Sequence, residues 1–385
     1  MIKESLRKLI EYVECQQYKG YDPYDTLNSW FPFHWFGKWG PPIVTQIQKR
    51  NPINLRPIMG IKKGVNPKAM GVFLKAYSLL YKKNGDRTYR EKADYFFNWL
   101  KQNSSKGYSG HCWGSNFHWA NPGRYLQAYI PSVVVTSFVV DGIYSYYKAT
   151  GNIEAVELIK SAAKYIVNDI PISRMPKGLY FAYTHLQKDC CYNASLLAAE
   201  VLAKSDEVNK KLQHTELIKP AVDYILSKQK IDGEWWYSYN PEKNNERKQI
   251  DFHQGFVLVS LNNIKNLTLY DIPGLENSIL KGLKYYRKVQ FFNTGRALWR
   301  IPKKWPVEIH NQSQGIITFS KLGHYDSSYP KFAQTVAKWT INNMQDKTGY
   351  FYYRKTPIFM NKIPYMRWSQ AWMMLALTEL LINEK

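Results

Sequence analysis

Cysteine and long apolar runs are both scarce in this chain. Four cysteines occur among 385 residues, Cys15, Cys112, Cys190 and Cys191. None forms a Cys-x-x-Cys pair, so the sequence predicts neither a zinc site nor a disulfide framework. No run of about 18 uncharged apolar residues is present, which excludes a membrane-spanning helix. The first ten residues form a charged amphipathic pattern unlike a signal peptide, and we therefore expect a cytoplasmic protein without metal or cofactor.

Acidic residues are also few. The chain has 30 of them against 53 Lys and Arg, a formal net charge of +23. Such an excess favours an acidic partner, namely nucleic acid, anionic lipid or anionic glycan. The basic residues are dispersed, without a basic tail, a recognised binding module or a phosphate-binding loop, so nucleic acid is the unlikely choice. Aromatic residues reach 16%, with 13 Trp, 30 Tyr and 17 Phe, which indicates a sizeable core.

A repeat of about 60 residues runs through the sequence. Each unit starts with an almost uniformly apolar helix, as burial on all sides requires, and continues with an amphipathic helix that has one face in water. Gly85, Gly151 and the Pro273-Gly274 turn separate the two helices of their units, since Gly readily ends a helix. The predicted inner and outer helices are 66–83 with 87–103, 132–150 with 152–168, 190–204 with 214–230, 251–265 with 275–290, 309–322 with 328–345, and 366–383 alone.

The unpaired last helix has a natural partner in the amphipathic segment 2–16. Pairing the two chain ends completes six helical hairpins in a ring, so the sequence predicts an all-α fold, one (α/α)6 toroid over residues 1–385. A two-domain helical protein is the alternative. In a ring of parallel inner helices, the long connections 17–64, 104–131, 170–188, 230–250, 291–308 and 346–366 would all emerge on one face.

Those long connections contain most of the tryptophans and histidines, nine of 13 and six of eight with the adjoining helix starts. Aromatic rings pack on the apolar faces of sugars, and helix N-termini attract anions. The pattern is therefore typical of a concave binding site for an anionic carbohydrate. The alternative is that these aromatic residues only hold long loops together.

Five stretches resemble the bacterial exopolysaccharide-biosynthesis proteins named after VpsJ. They are CWGSNFHW (112–119), YNASLLA (192–198), DFHQGFVL (251–258), IHNQSQ (309–314) and PYMRWSQAW (364–372). That family is grouped with six-hairpin glycosidase-like toroids, among them N-acylglucosamine 2-epimerases and unsaturated glucuronyl hydrolases. The resemblance covers the chain from about residue 60 onward and implies a role in making or modifying a cell-surface polysaccharide.

A second resemblance concerns QKIDGEW (229–235) and QDKTGYF (345–351), which are similar to the QxxxGxW repeat of triterpene cyclases. That motif is structural and ties the end of an outer helix to the following turn. The acidic DxDD cluster that such cyclases use for protonation is missing from the sequence. A terpenoid or prenyl substrate is accordingly the weaker interpretation.

The candidate catalytic residues lie at inner-helix starts. His253 and His310 occupy matching positions, and a histidine pair suits proton abstraction and return at a sugar carbon, by analogy with the 2-epimerases. Hydrolysis needs two carboxyl groups instead, for which Asp251 and Asp189 are candidates, although Asp251 could simply cap its helix. Either histidine could also be only a hydrogen-bonded helix residue.

Arg367 is the main binding candidate, because a guanidinium can grip a carboxylate with two hydrogen bonds; pairing with an acid of the protein is the alternative. Further residues predicted to contact substrate lie in the long connections, at the inner-helix starts or in the stretches that carry the resemblance. They are Trp113, His118, Trp119, Asn193, Trp235, Trp236, Gln312, Tyr353, Tyr365 and Gln370.

The leading hypothesis is an enzyme that epimerises or cleaves an anionic polysaccharide or its lipid-linked oligosaccharide precursor. The competing hypothesis is a non-catalytic glycan-binding or assembly protein. In either case the basic surface predicts peripheral contact with the inner membrane or with polysaccharide-export machinery.

Overall fold

The computed structural model describes residues 1–121 and 124–383, and most of this part of the chain is helical. The long helices follow the predicted repeat, with boundaries that differ by a few residues. In chain order they are α1 Ile2–Cys15, α2 Gly40–Arg50, α3 Pro67–Asn84, α4 Arg87–Gln102, α5 Val133–Thr150, α6 Ile153–Asn168, α7 Tyr192–Asn209, α8 Thr215–Leu226, α9 His253–Leu267, α10 Leu275–Val289, α11 Ile309–Lys321, α12 Tyr329–Met344 and α13 Trp372–Asn383.

Six inner helices form a closed ring. Contacts run from α3 to α5, α7, α9, α11 and α13, and α13 returns to α3. A π-helical turn, Met366–Ala371, begins the last inner helix and continues into α13. Helices α4, α6, α8, α10 and α12 each pack outside the inner helix that precedes them, and α1 packs against α13. The predicted (α/α)6 toroid is confirmed, and so is its closure by the two ends of the chain.

The ends of the first two inner helices explain why the turns lie where the sequence predicts them. Asn66 and Ser132 cap α3 and α5 by accepting hydrogen bonds from backbone amides of the first turn. Gly85 and Gly151 end the same helices in the left-handed conformation, with φ of 68° and 70°. Both ends of these helices are therefore determined by local side-chain chemistry.

A repeated polar clamp ties each of the last five inner helices to the loop that precedes it. Gln312 accepts a hydrogen bond from the Ala297 amide at 2.6 Å and donates one to the Gly295 carbonyl at 3.2 Å. Gln370 bonds the amide and carbonyl of Phe351 in the same way, at 2.8 and 2.9 Å. The five clamp residues are Thr136, Ser195, Gln254, Gln312 and Gln370, at steps of 59, 59, 58 and 58.

This clamp corrects two sequence predictions. Gln312 and Gln370 were expected to bind substrate, but both are fully buried and their amides are occupied by the backbone. The QxxxG motifs have the predicted structural role, because Gln229 and Gln345 donate to the carbonyls of Gly233 and Gly349 at the ends of their outer helices.

The long loops contain short strands, which the sequence analysis did not predict. In chain order the strands are β1 Trp119–Asn121, β2 Arg124–Leu126, β3 Ile172–Met175, β4 Gly178–Thr184, β5 Gln187–Cys191, β6 Ser238–Asn240, β7 Asn245–Arg247, β8 Val307–Glu308, β9 Arg354–Lys355 and β10 Met360–Asn361. Five of them form one sheet in the order β3-β4-β5-β6-β7, which joins the loops before α7 and α9. Helix α2, inside the 17–64 connection, was also not predicted.

Ion pairs cross between inner helices deep in the ring. Asp141 of α5 lies 2.7 Å from the Lys75 ammonium and 2.6 Å from that of Lys204, and Lys204 also pairs with Glu200 at 2.7 Å. The pKa of Asp141 is lowered because the two ammonium groups outweigh its burial. Within the described ranges, no helix combines the length and apolar character needed to cross a membrane.

Candidate active site

A cavity of about 1780 Å³ opens at the N-terminal ends of the inner helices. One side chain from the start of each inner helix lines it, so the ring delivers six side chains to one place. They belong to the first residue of α9 and to the second residue of each other inner helix, and are Lys68, Val134, Asn193, His253, His310 and Arg367. The sequence analysis placed four of them at helix starts but did not single out Lys68 or Val134. The spacing of 66, 59, 60, 57 and 57 residues between these positions is the signal that would have revealed Lys68 as well.

The two histidines both contact the ring of Phe252. The His253 ring stacks on Phe252 with centroids 4.2 Å apart, and the His310 ring meets Phe252 edge-on at 4.5 Å. His310 in turn stacks on Trp368 at 4.5 Å. His253 and His310 each lie at the start of an inner helix, and both rings border the cavity.

Asp251 holds His253 in place. Its Oδ1 lies 2.5 Å from Nδ1 of His253 and also accepts the His253 backbone amide at 3.2 Å. Burial alone would raise the pKa of Asp251, but His253 and Arg300 reverse this and the pKa is lowered. An ionised carboxylate can only accept, so Nδ1 of His253 carries the proton. Asp251 therefore orients the imidazole as well as bonding the first turn of α9.

His310 is deeply buried at the start of α11. Burial lowers its pKa well below the usual value, and the nearby Lys68 acts in the same direction. Its Nδ1 lies 3.4 Å from the Trp368 carbonyl oxygen, which can only accept a hydrogen bond. His310 is accordingly a neutral imidazole whose Nε2 is the free basic nitrogen.

Glu308 is the second buried carboxylate of the cavity. It accepts hydrogen bonds from Arg354 and, at 2.9 Å, from the indole N–H of Trp368. Although burial acts to raise it, the pKa of Glu308 is lowered because Arg354 and Lys49 favour the charged form. The two buried carboxylates of the site, Asp251 and Glu308, are therefore both ionised.

Arg367 lines the cavity, but its hydrogen-bonding edge is taken. Nε and Nη2 bond the carboxylate of Asp22 at 2.6 and 2.7 Å. The expectation that Arg367 grips a substrate carboxylate needs correction, because a protein carboxylate already fills that position. The alternative considered from the sequence, pairing with an acid of the protein, is the one observed.

Two buried lysines were missed by the sequence analysis. The Lys68 ammonium lies 4.2 Å from the Phe138 ring centroid, and burial together with the charge of Arg367 lowers its pKa well below the usual value. Lys49 on α2 lies 4.0 Å over the ring of Tyr24 and bonds its hydroxyl. Burial lowers the pKa of Lys49 to about 7 despite the attraction of Glu308.

Three further predicted residues border the cavity. Trp119 and Asn193 line it, and so does Asp189 on β5. Asp189 accepts the amide of Tyr183 at 3.4 Å, so one of its oxygens holds the loop. The aromatic lining is larger than predicted, and includes Tyr24, Trp39, Phe117, Trp119, Phe138, Tyr180, Tyr183, Tyr237, Tyr239, Phe252, Phe256, Trp299 and Trp368.

Two tryptophans that were predicted to contact substrate do not line this cavity. Trp113 and Trp235 are fully buried, and their indoles donate to the carbonyls of Leu100 and Ile225 in the preceding outer helices. These two tryptophans fasten loops to outer helices, which is the structural alternative considered from the sequence.

Four other residues that were predicted to contact substrate also do not line the cavity. They contact other residues of the protein instead. Trp236 donates to Glu234 at 2.8 Å, and a ring nitrogen of His118 lies 3.2 Å from the Tyr125 hydroxyl. Tyr353 and Tyr365 are buried against each other, with ring centroids 4.9 Å apart. Among the residues that the structure describes, no group of three or more His, Cys, Asp or Glu side chains could hold a metal ion.

Comparison with solved structures finds the same fold in enzymes that act on sugars. A cellobiose 2-epimerase from Bacillus thermoamylovorans B4167 is 14% identical with a TM-score of 0.65, over 83% of this chain and 87% of that one. A possible GH105 family member from Salmonella enterica serovar Paratyphi A is 14% identical at 0.62, over 82% and 83%. A GH76 α-mannanase from Bacteroides thetaiotaomicron is 14% identical at 0.60, over 82% and 87%.

These similarities show that the chain has the (α/α)6 toroid fold. No family model matches the chain, and no curated protein matches it either. The narrower resemblance to VpsJ-like proteins therefore stays a prediction.

Proposed function

We propose that this protein is a carbohydrate-active enzyme that moves a proton at a sugar carbon, as an epimerase or isomerase. The observation that carries the proposal is the pair of imidazoles, His253 and His310, which both contact the Phe252 ring and both line one aromatic cavity. The shared fold with a cellobiose 2-epimerase supports it.

The protonation of the two rings suits this chemistry. In each imidazole Nδ1 is held by an acceptor, the Asp251 carboxylate or the Trp368 carbonyl, which leaves Nε2 for the substrate. The lowered pKa of His310 keeps it neutral and ready to accept a proton. Of the two rings, His253 is the one with a carboxylate against Nδ1, which would offset positive charge on the ring during proton transfer, so we assign the donor role to His253.

The reaction proceeds by proton transfer alone. Nε2 of His310 removes the proton from the carbon next to the carbonyl of the open-chain sugar, and the electron pair moves onto the carbonyl oxygen to give an enediolate. Nε2 of His253 then donates a proton to the opposite face of that carbon, and the carbonyl re-forms. Water afterwards takes the proton from His310 and replaces the one that His253 has lost. The nearby Lys68 would stabilise the enediolate oxygen by donating a hydrogen bond, because a donor in a buried site acts strongly on developing negative charge.

Glycosidic cleavage is less well supported. A glycosidase needs one carboxyl group that stays protonated near neutral pH and a second that is ionised. Asp251 and Glu308 both have lowered pKa values and protein partners, so neither of them suits the role of general acid.

We propose a negatively charged substrate, because basic side chains outnumber acidic ones around the cavity. The carboxylates of Asp251 and Glu308 are matched by protein cations, whereas no ion pair with Lys68 is found among the described residues. A lipid-linked precursor would also suit the site, since Ile43 and Ile47 of α2 line the cavity beside Trp39. The resemblance to VpsJ-like proteins supports a place in making a cell-surface polysaccharide.

Deuterium uptake from solvent tests the proposal. The protein would be incubated in D₂O with glucose, mannose, N-acetylglucosamine, glucuronate and cellobiose, and NMR would follow hydrogen at C2 and the appearance of the epimer. We expect uptake with at least one sugar, and a loss of about 10² to 10⁴-fold in His253→Gln and in His310→Gln. His324→Gln is the matched control, because His324 is remote from the cavity lining.

Other outcomes would overturn the proposal. Shortening of an oligosaccharide without deuterium uptake would assign cleavage. Sugar binding that is lost in Trp119→Ala, with neither uptake nor cleavage, would assign a non-catalytic glycan-binding protein.

A further inference from the structure

Exposed hydrophobic side chains are concentrated in the connection between α1 and α3. Nine large ones lie within 29 consecutive positions, and the three tryptophans classed as exposed are all among them. Trp35 is 76% exposed and Phe36 is 67% exposed. We call this feature the 30–58 surface; its members are Trp30, Trp35, Phe36, Trp39, Ile43, Ile47, Ile53, Leu55 and Ile58.

The 30–58 surface is built by folded elements. Trp39, Ile43 and Ile47 are spaced four residues apart at and along α2, so they form one apolar stripe, while Thr45 and Gln48 face inward and are buried. At the other end, the indole of Trp30 donates to the Ile58 carbonyl at 3.2 Å, and this contact joins the two ends of the segment. The apolar side chains are therefore presented outward by a structured segment.

The charged residues in the stretch that contains the 30–58 surface are all basic. No Asp or Glu occurs between residues 26 and 85. Four basic side chains of the same connection, Lys38, Arg50, Lys62 and Lys63, are exposed. The buried Arg56 is different, because Asp25 neutralises it at 2.6 Å. An apolar surface bordered by cations and free of acids is complementary to a surface that is apolar inside and anionic at its edge.

We propose that the 30–58 surface docks the protein on an anionic lipid bilayer, with the Trp and Phe rings at the level of the headgroups and the aliphatic residues just beneath. Tryptophan favours this interface, and juxtaposed Lys and Arg are attracted to anionic lipids. The surface contains five exposed aliphatic residues, which offer no hydrogen bonds to a sugar. This composition favours a bilayer over a glycan as the occupant. Trp39, Ile43 and Ile47 also line the cavity, so a docked bilayer would lie beside its opening; the proposal does not depend on which reaction occurs there.

Vesicle binding tests the proposal with the full chain. Co-sedimentation would be measured with vesicles of phosphatidylcholine alone and with vesicles containing phosphatidylglycerol, at low and high salt. We expect binding to the anionic vesicles that weakens as salt rises, since counter-ions screen the cationic contribution. The double variant Trp35→Ser/Phe36→Ser is expected to bind at least tenfold more weakly.

The matched control is Ile231→Ser/Leu269→Ser, which removes two hydrophobic side chains that are 93% and 88% exposed but lie outside the 30–58 surface. It should bind vesicles as the unaltered protein does. Circular dichroism would confirm that both variants are folded. A blue shift of tryptophan fluorescence on binding, absent from the Trp35→Ser/Phe36→Ser variant, would support insertion of these rings.

Three results would overturn the proposal. One is the absence of binding to either vesicle type. Another is an equal loss of binding in the control variant. The third is self-association, detected by sedimentation velocity without vesicles and abolished by Trp35→Ser/Phe36→Ser, together with no vesicle binding; this would assign the surface to a second copy of the chain.

Discussion

Arg367 and Asp22, 345 positions apart in the chain, form a two-pronged ion pair at the edge of the cavity. Nε of Arg367 lies 2.6 Å from Oδ2 of Asp22, and Nη2 lies 2.7 Å from Oδ1. Both side chains are buried. The pair joins the connection after α1 to the last inner helix, so it stabilises the closure of the ring and leaves the guanidinium edge filled.

Replacement of Asp22 by Asn should therefore destabilise the fold strongly. The variant would leave the Arg367 charge buried without a counter-charge, and loss of one partner of a buried pair lowers the free energy of unfolding by about 3–5 kcal/mol. Urea unfolding measures the effect. Glu157→Gln, which breaks the exposed pair with Lys160, is the control and should change stability little. Equal stability of the two variants would contradict the structural role of Asp22.

The sequence predicted the ring well because the repeat is encoded locally. The apolar inner helices, the Asn66 and Ser132 caps, and Gly85 and Gly151 are all visible as neighbours in the chain. The site was predicted in part, since His253 and His310 share a register that can be read from spacing.

The partners of the site residues could not be predicted in the same way. Asp22 meets Arg367 only after the ring closes, and Gln312 meets the Gly295 carbonyl only after a loop folds back. Lys68 was overlooked because a lysine at a helix start is ordinary in sequence, and only burial beside His310 makes it distinctive. Long-range contacts, more than residue types, separate substrate-binding side chains from structural ones.

Gln312→Ala should destabilise the protein without direct effect on the cavity. The substitution leaves the buried Ala297 amide and Gly295 carbonyl without their partner, which lowers the free energy of unfolding by about 1–3 kcal/mol for each unsatisfied group. Thermal or urea unfolding checks this. Gln102→Ala, at an exposed site, is the control. If the Gln312→Ala variant were as stable as that control, the clamp would contribute little to the free energy of unfolding.

Asp251→Asn should slow deuterium uptake. The carboxylate of Asp251 accepts from His253 at Oδ1 and from Gln249 at Oδ2, whereas an Asn side chain has only one accepting oxygen. The His253 ring would therefore lose its fixed orientation, and we expect uptake to fall by about 10²-fold or more. NMR measures the rate in the unaltered protein and in Asp251→Asn, and circular dichroism checks that the variant is folded. An unchanged rate in a folded variant would mean that Asp251 only supports the helix start.

Lys68 should take up a proton when an anionic sugar binds. Burial and Arg367 lower its pKa in the free protein, and a substrate carboxylate beside it would raise that pKa again. Calorimetry of glucuronate binding in buffers of different ionisation enthalpy, repeated over a series of pH values, measures this uptake and the pH range in which it occurs. The uptake should vanish in Lys68→Met and should be absent with neutral glucose. Unchanged uptake in Lys68→Met would assign the proton to another group.

Lys49 should make stability depend on pH above neutrality. Its pKa is lowered to about 7 in the folded protein from an ordinary 10.5, so between these values the unfolded chain binds more protons. The free energy of unfolding should therefore rise with pH in this window, by up to about 1.4 kcal/mol per pH unit, and Lys49→Met should lack this rise.

Urea unfolding of the unaltered protein and of Lys49→Met at pH 7, 8 and 9 measures the difference, in which the contributions of all other titrating groups cancel. The unaltered protein should gain stability relative to the variant as pH increases. Lys38→Met is the control, because Lys38 is exposed and its removal should shift all three values equally. A difference independent of pH would mean that Lys49 stays protonated against Tyr24 and Glu308 throughout, and that the cavity tolerates a permanent buried charge on α2.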